Sequence, residues 1–426
     1  MKKIEDMTVL VCDHGQFLPL ALLLGKSARK VFYCNLGARQ TSFPEHWKGR
    51  VGEGEPDIEV VYDPFEHVDE IDLYVFTDIG EPEMQTVLAA PPPEGLGKLV
   101  WGNRRLEELE NDRALMRRWM ERAGLPTIPW KEVKGCDALE AYLKGHKDVW
   151  VKTKIYRGLA ETWHAEDELL ARSMLTKLRH DLGPDAKDWP FIIEEDYPDA
   201  YEVGIDAFSV CGQFPKKLAM CVETKGDAAL GQIVKYSSLP PAMLDFNAAL
   251  APLLEEYDAR GFLSTEHRIK KDGTGPMIDL CPRCPSPPGE LCQLLYRNLP
   301  EIIAAGAQGV CLDPVTDHLW MAQLQMHSSW AGEEALAVEF PPEFEDYVKL
   351  RWSMRRGKER WVMKSGAGNN TIGSALGVGE TPKEAIEHCK EVAKSIKGLK
   401  IEYAEGSLEH ALSEIEKAEE WGQFTQ

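Results

Sequence analysis

The feature that most restricts the fold of this chain is a change of texture along it. Residues 7–13 (MTVLVCD), 30–35, 58–63 and 72–78 (DLYVFTD) read as short apolar strands, many ending in polar turns, and KLVWG at 98–102 adds another. The LPLALLL run between the first two strands reads as a buried helix. Strands alternating with helices predict a parallel α/β unit. A strongly helical stretch follows over 106–123 and is stopped by Gly124-Leu125-Pro126, a glycine just past the helix with proline beyond it. From about 149 to 330 the texture turns β-rich: VWVKTK (149–154), FIIEED (191–196), EVGIDAFSV (202–210) and KLAMCVETK (217–225) read as strands. FLSTEHRI (262–269), a KDGTG turn and PMIDLC (276–281) read as a hairpin. Helices are predicted over 240–260 and about 288–305. ERWVMKS, a Gly/Asn-rich loop, IGSALGVG and a helix over 381–397 close the chain as a small α/β unit, with Thr381 and Glu384 in capping-box spacing. The expected division is 1–130, 131–335 and 336–426.

Charge and cysteine usage narrow the function classes. A formal net charge of -21 without a basic run argues against a phosphate-backbone partner. No stretch approaches a membrane span, and the apolar run at 17–25 lacks the basic-then-apolar order of a signal peptide. Ten scattered cysteines, several inside apparent strands, fit reduced thiols in a cytoplasmic protein. Cys281, Cys284 and Cys292 could form part of a zinc site, but no second CxxC or histidine pair accompanies them, so a free-thiol core is the preferred reading.

Three segments carry candidate chemistry. On the hairpin, Glu266 and Asp279 can point the same way, and two carboxylates suit Mg²⁺, which completes its shell with water and phosphate oxygens. Arg283, four positions past Asp279, shares its face and can stabilise a transferring phosphoryl group. From spacing alone, ordinary solvated charges on a surface hairpin remain the plainer reading. Lys152 and Lys154 alternate onto one face of a strand and are followed by Tyr156-Arg157-Gly158; they can hold phosphates or simply guard a strand edge. Glu194, Glu195 and Asp196 end a strand, with Glu202 opening the next, an arrangement that can serve a nucleotide or a charged loop. Glu223 and Lys225, Asp13-His14-Gly15, and the glycine-rich loop at Gly366 are weaker candidates. The first pair can serve substrate or pair with each other, the second reads best as a turn, and the third as a plain loop.

In this order and spacing the segments resemble the ATP-grasp superfamily over most of the chain, and specifically its phosphoribosylamine–glycine ligase (glycinamide ribonucleotide synthetase) branch. LEELENDR at 106–113, leading into RALMRRWMERAGLPTIPW, is similar to the family's linker helix and puts Arg117 where a nucleotide-contacting lysine is usual. VWVKTK resembles the strand carrying the second such lysine, at Lys152. FIIEEDYPDAYEVGIDAF is similar to the hinge "EE-x-x-x-G-x-E-x-S", with Glu202 as ribose ligand. LSTEHRI with MIDLCPR resembles the metal hairpin "E … E-x-N-x-R", and GVGETPKEAIEHCKEVAKSI the C-terminal "G-x-T-x-x-E-A" helix. The chain departs from the pattern at Asp279 for glutamate, Cys281 for asparagine, a reduced phosphate loop (YRGLAETW) and a missing hinge glycine. The resemblance implies a mixed α/β and α+β fold: a Rossmann-like pre-ATP-grasp domain, a two-lobed ATP-grasp domain and a small C-terminal α/β domain. It further implies a ligase using ATP and Mg²⁺ to join small-molecule carboxylate and amine substrates through an acyl phosphate. Glu266 and Asp279 would hold the metal, Arg117, Lys152, Lys154, Glu194, Glu195 and Glu202 the nucleotide, and Arg283 the transferring phosphoryl. A kinase of the same fold and a catalytically degenerate nucleotide-binding scaffold are the alternatives. Oligomeric state is left open.

Overall fold

The structure, a computed structural model, describes residues 1–39, 50–153, 162–287, 289–363 and 370–424. The first five strands are β1 (Thr8–Asp13), β2 (Lys30–Asn35), β3 (Glu59–Val61), β4 (Leu73–Phe76) and β5 (Leu99–Trp101). They form an all-parallel sheet in the order β3-β2-β1-β4-β5. β1 is buried along its whole length, which is why it reads as a continuous apolar run instead of an alternating one. The order turns back between β1 and β4, leaving a crevice at their carboxyl ends, where Asp13-His14-Gly15 and Thr77-Asp78 lie. Helices α1 (Leu18–Gly25) and α2 (Pro82–Ala89) belong to this layer.

The helix expected over 106–123 is not continuous. A 3₁₀ turn (Arg104–Glu107) runs into α3 (Glu108–Asn111), and α4 (Arg113–Arg122) starts afresh. Asp112 between them is extended, and its carboxylate accepts a 2.9 Å hydrogen bond from the Leu115 amide. An aspartate that satisfies the first amides of one helix cannot also continue the helix before it.

Strands β6 (Trp130–Lys134), β7 (Val149–Thr153), β8 (Thr162–Ala165) and β9 (Pro190–Glu195) make an antiparallel sheet in the order β6-β9-β7-β8. One face buries Val133, Val149, Val151, Trp163 and Ile193 with α5 (Cys136–Leu143) and α6 (Glu168–Leu182). Alternation puts Trp130, Trp150, Lys152, His164 and Glu194 on the other face.

The larger sheet begins with β10 (Ala200–Val210), β11 (Lys217–Thr224) and β12 (Ala228–Lys235). After α7 (Pro241–Glu256), β13 (Arg260–Lys270) and β14 (Met277–Cys281) add the expected hairpin at its edge. The single helix expected over 288–305 is two, α8 (Gly289–Leu295) and α9 (Leu299–Ala307), the second with proline in its first turn. β15 (Trp320–Ser328) then pairs with β12. Of the later strands, β16 (Leu336–Val338), β18 (Ser353–Arg356) and β19 (Glu359–Val362) form a three-stranded sheet, whereas β17 (Val348–Leu350), β20 (Thr371–Gly379) and β21 (Ile401–Glu402) join the larger one. The stretch from 336 onward therefore shares its main sheet with the strands of 200–328, completing nine strands. Helices α10 (Pro382–Ser395) and α11 (Ser407–Glu420) bury Ala385, Cys389, Leu408 and Ile415 against its outer face.

Gly377 of β20 faces α10 so closely that a Cβ there would lie 2.3 Å from the Ala385 carbonyl and the Cys389 amide nitrogen. At the start of α10, Thr381 and Glu384 form the capping box expected from the sequence, with the Thr381 hydroxyl accepting from the Glu384 amide at 3.2 Å. Thr381→Ala is expected to lower unfolding stability by about 1 kcal/mol in a urea titration, since it strands one amide of the first turn.

Candidate active site

The cleft faces of the two antiparallel sheets and the carboxyl edge of the parallel sheet meet around the β13–β14 hairpin. Glu266 and Asp279 are direct cross-strand partners, so both carboxylates share a face. Ser264 and Cys281 pair two positions away on that face, and β10 brings Asp206 beside Ser264 and Gly204 beside Glu266. Partial burial, then repulsion from Asp279 and Glu202, pushes the Glu266 carboxyl up to about 8. Burial also works against an ionised Asp279, but Arg113, Lys152, Lys225 and Arg117 outweigh it and hold that carboxyl below the ordinary aspartate range. Burial pushes Asp206 up to about 7, and burial with Glu266 and Asp206 drives Glu223 well above its usual range while Lys225 partly offsets them. Such a crowded anionic face gains from a bound cation. Among the described residues no group of three or more His, Cys, Asp or Glu side chains is placed to hold a metal. Two opposed carboxylates instead fit a hard divalent ion that completes its shell with water and phosphate oxygens. Burial keeps the Cys281 thiol well above its usual range, and a neutral thiol is a poor ligand for such an ion.

The cations beside this face come from α4, β7 and the end of β11. Arg113, at the first position of α4, lies 3.9 Å from the Asp279 carboxylate and donates to the Thr153 carbonyl at 2.9 Å. Arg117, one turn on, is committed elsewhere. Its Nε meets Glu194 at 2.6 Å, and its other nitrogens donate to the Ile278 and Met277 carbonyls at 2.6 and 3.3 Å. Arg113, which the sequence reading does not single out, is thus the guanidinium that faces the Asp279 carboxylate, while Arg117 is bound to the backbone of the same hairpin. Only the position of Arg113, one helical turn earlier, could have signalled it. Lys152 pairs with Glu194 at 2.9 Å. Burial opposes ionisation of Glu194, but Lys152 and Arg117 bring its carboxyl down to about 2. Glu194 is thereby a brace between two cations, where the sequence reading had it contacting nucleotide. Glu195, next on the strand, alternates to the opposite face and is exposed. Glu202 sits at the cleft edge of β10, 3.3 Å from Arg268, whose guanidinium also donates to the Tyr197 carbonyl. The β9–β10 turn keeps a left-handed residue, but it is Asp199 (φ 58°) instead of glycine. Lys154, Arg157 and the glycine-rich loop at Gly366 lie outside the described residues.

Arg283 links the hairpin to the parallel sheet. Its Nε donates to Glu110 at 2.9 Å, and Asp78, after β4, lies 3.9 Å away. Asp78 in turn faces the His14 imidazole at 3.5 Å. Burial disfavours a charged His14, yet Asp78, Asp13 and Glu81 hold the imidazolium up to about 9. Asp13 turns inward, accepting from the Phe17 amide, the Tyr33 hydroxyl at 2.8 Å and the Thr77 hydroxyl at 3.0 Å. The preferred turn reading of Asp13 is consistent with that geometry, while His14 turns to Asp78. The Trp352 indole closes this loop from the C-terminal stretch by donating to the His14 carbonyl at 3.1 Å.

All ten cysteines are free, and Cys284 and Cys292 are buried in the core. Among the described residues no helix is long and apolar enough to cross a membrane.

A parallel sheet leading into a small antiparallel sheet and a large one, with a carboxylate hairpin on the edge of the large sheet, is the ATP-grasp fold. Solved structures match it over almost the whole chain. Phosphoribosylamine–glycine ligase from Thermotoga maritima matches with a TM-score of 0.67 at 15% identity, covering 93% of this chain and 99% of that one. The biotin carboxylase domain of Hydrogenobacter thermophilus 2-oxoglutarate carboxylase, solved with MgADP, ADP and bicarbonate, matches at 0.65 and 12%, covering 97% and 99%. L-amino acid ligase from Bacillus licheniformis matches at 0.59 and 14%, covering 94% and 99%. No protein-family model matches the chain, and no curated protein sequence is recognisably similar to it. The chain is a divergent carrier of this fold.

Proposed function

We propose that the protein is an ATP-dependent ligase that activates a small carboxylic acid as an acyl phosphate and joins it to an amine, releasing ADP and phosphate. The observation that carries this reading is the Glu266–Asp279 cross-strand pair set against Arg113, Lys152 and Lys225 in one cleft. That arrangement offers carboxylates to a metal and cations to a polyphosphate side by side. The MgADP complex of one similar structure and the ligase activities named for two others support it. Mg²⁺ held by Glu266 and Asp279 would draw charge from the ATP phosphates. In this reading Lys152 and Arg113 neutralise the polyphosphate, Glu202 binds the ribose, and Arg283 steadies the γ-phosphoryl group. The substrate carboxylate oxygen attacks that phosphorus and ADP leaves. The amine nitrogen then attacks the acyl carbon, the C–O bond to phosphate breaks, and the amine gives up a proton. Catalysis of this kind is positioning and electrostatics more than covalent chemistry. Ten unbridged cysteines, seven of them buried, support a reducing cytoplasmic setting.

Calorimetric titration with a non-hydrolysable ATP analogue, with and without Mg²⁺, tests the site. Saturable binding that weakens by about tenfold or more when Mg²⁺ is withheld is the expected outcome. Amine-dependent ADP release across a panel of acids and amines then separates ligation from simple phosphorylation. Failure to bind at millimolar analogue would defeat the reading in favour of a decayed site.

A further inference from the structure

Arg283 joins two carboxylates that the mechanism above does not use. Its Nε lies 2.9 Å from Glu110 Oε1 and 3.9 Å from the Asp78 carboxylate. Glu110, on α3, is 4% exposed, and its second oxygen, Oε2, is buried without a hydrogen-bond partner. A buried carboxylate oxygen left unmet is costly, and a donor that arrives with a ligand removes that cost. Asp78 has 24% of its side chain exposed, so the pair is open to solutes at the crevice beyond β4. Arg283 also touches the Cys281 thiol at 3.8 Å, which sets Glu110 one side chain away from the metal hairpin. Burial pushes the Glu110 carboxyl up to about 7, against the pull of Arg283 and with a further push from Asp279 and Asp78. Burial likewise raises the neighbouring Glu107 to about 8, and Asp78 and Glu110 add to it. Three carboxylates thus crowd a corner whose cations are Arg283 and His14. Among the described residues they form no metal-binding group. The complement of such a corner is a small cation that donates N–H bonds, which is the form an alkyl amine takes in neutral water.

We infer that Asp78 receives the amine substrate as its ammonium ion and that Glu110 takes the proton whose loss frees the nitrogen lone pair. The inference rests on the ligase reading above. One ammonium proton passes to Glu110, and the neutral nitrogen bonds to the acyl carbon. The C–O bond to phosphate then breaks, and the second proton leaves with the departing phosphate.

The test compares two nucleophiles, hydroxylamine, which is largely neutral near pH 7, and ethanolamine, which is almost wholly protonated there. ADP release from Mg-ATP is measured with acetate, succinate and N-acetyl amino acids as acids. In Glu110→Gln, turnover with ethanolamine should fall about a hundredfold more than turnover with hydroxylamine. Asp78→Asn should raise the KM for ethanolamine about tenfold more than the KM for hydroxylamine. Equal losses with both nucleophiles in a folded Glu110→Gln protein would mean that Glu110 only braces Arg283, which overturns the inference and leaves the ligase reading standing. Should Glu110→Gln not fold by circular dichroism, the Asp78→Asn comparison decides alone, and an unchanged ratio of the two KM values overturns the inference. Wild type that releases ADP with neither nucleophile overturns both the inference and the ligase reading.

Discussion

Asp279→Asn is expected to cut Mg²⁺-dependent ADP release by about a thousandfold, matching the several kcal/mol that a correctly held divalent ion supplies to a transferring phosphoryl group. The substitution preserves shape and volume and removes only charge. The wild-type carboxylate is 22% exposed, so it can meet a ligand, and it stands directly across from Glu266. The hairpin should survive, because two electrostatic effects oppose each other. Asp279 loses its attraction to Arg113, Lys152, Lys225 and Arg117, while Glu266 loses its strongest repulsive neighbour. Coupled measurement of ADP release alongside a thermal melt separates the two effects. Turnover at the wild-type rate in a folded Asp279→Asn protein would remove this residue from the site.

Glu194→Gln is expected to destabilise the apo protein by about 3–5 kcal/mol in urea, the range found when one partner of a buried ion pair is removed. Glu194 is 2% exposed and neutralises both Arg117 and Lys152. An amide of the same shape leaves two buried cations uncompensated. The cluster also ties α4, β7 and β9 to β14 through the Ile278 and Met277 carbonyls, so nucleotide affinity should fall with stability. The sign with pH follows from the direction of the shift. The folded carboxyl sits at about 2, below its ordinary 4.5, so the folded state holds the proton less tightly than the unfolded one. This stabilisation is complete above pH 4.5 and is lost as pH falls toward 2. The stability gap between wild type and Glu194→Gln should therefore be constant near neutrality and close in acid. A gap that stayed open at pH 2 would show that something other than the carboxylate charge is at work.

Much of the architecture was legible in the residues because it rests on local rules. The five parallel strands, the hairpin and the capping box at Thr381 each announce themselves through hydrophobic runs, turn residues or fixed offsets. The two helices misread as continuous failed for equally local reasons: an N-capping aspartate at Asp112 and a proline-led restart at Leu299. Strands β12 and β15 were passed over. They are central strands buried on both faces, so neither alternation nor charge marks them.

The candidate site divides along the same line. Spacing within a strand put Lys152 on one face and suggested that Glu266 and Asp279 could converge, since side-chain alternation needs no knowledge of the fold. Partnership between elements is another matter. That Arg117 spends its guanidinium on Glu194 and two carbonyls, that Arg113 stands beside Asp279, and that Arg283 reaches across to Glu110 and Asp78 depends on contacts between residues tens to hundreds of positions apart. Charge partners in a cleft are chosen by distance in space, and Coulomb energy in a partly buried site changes steeply over a few ångströms. Residue types and their order along the chain could therefore suggest a metal- and phosphate-binding chemistry, while only the packing of three sheets around one hairpin assigned each charge its partner.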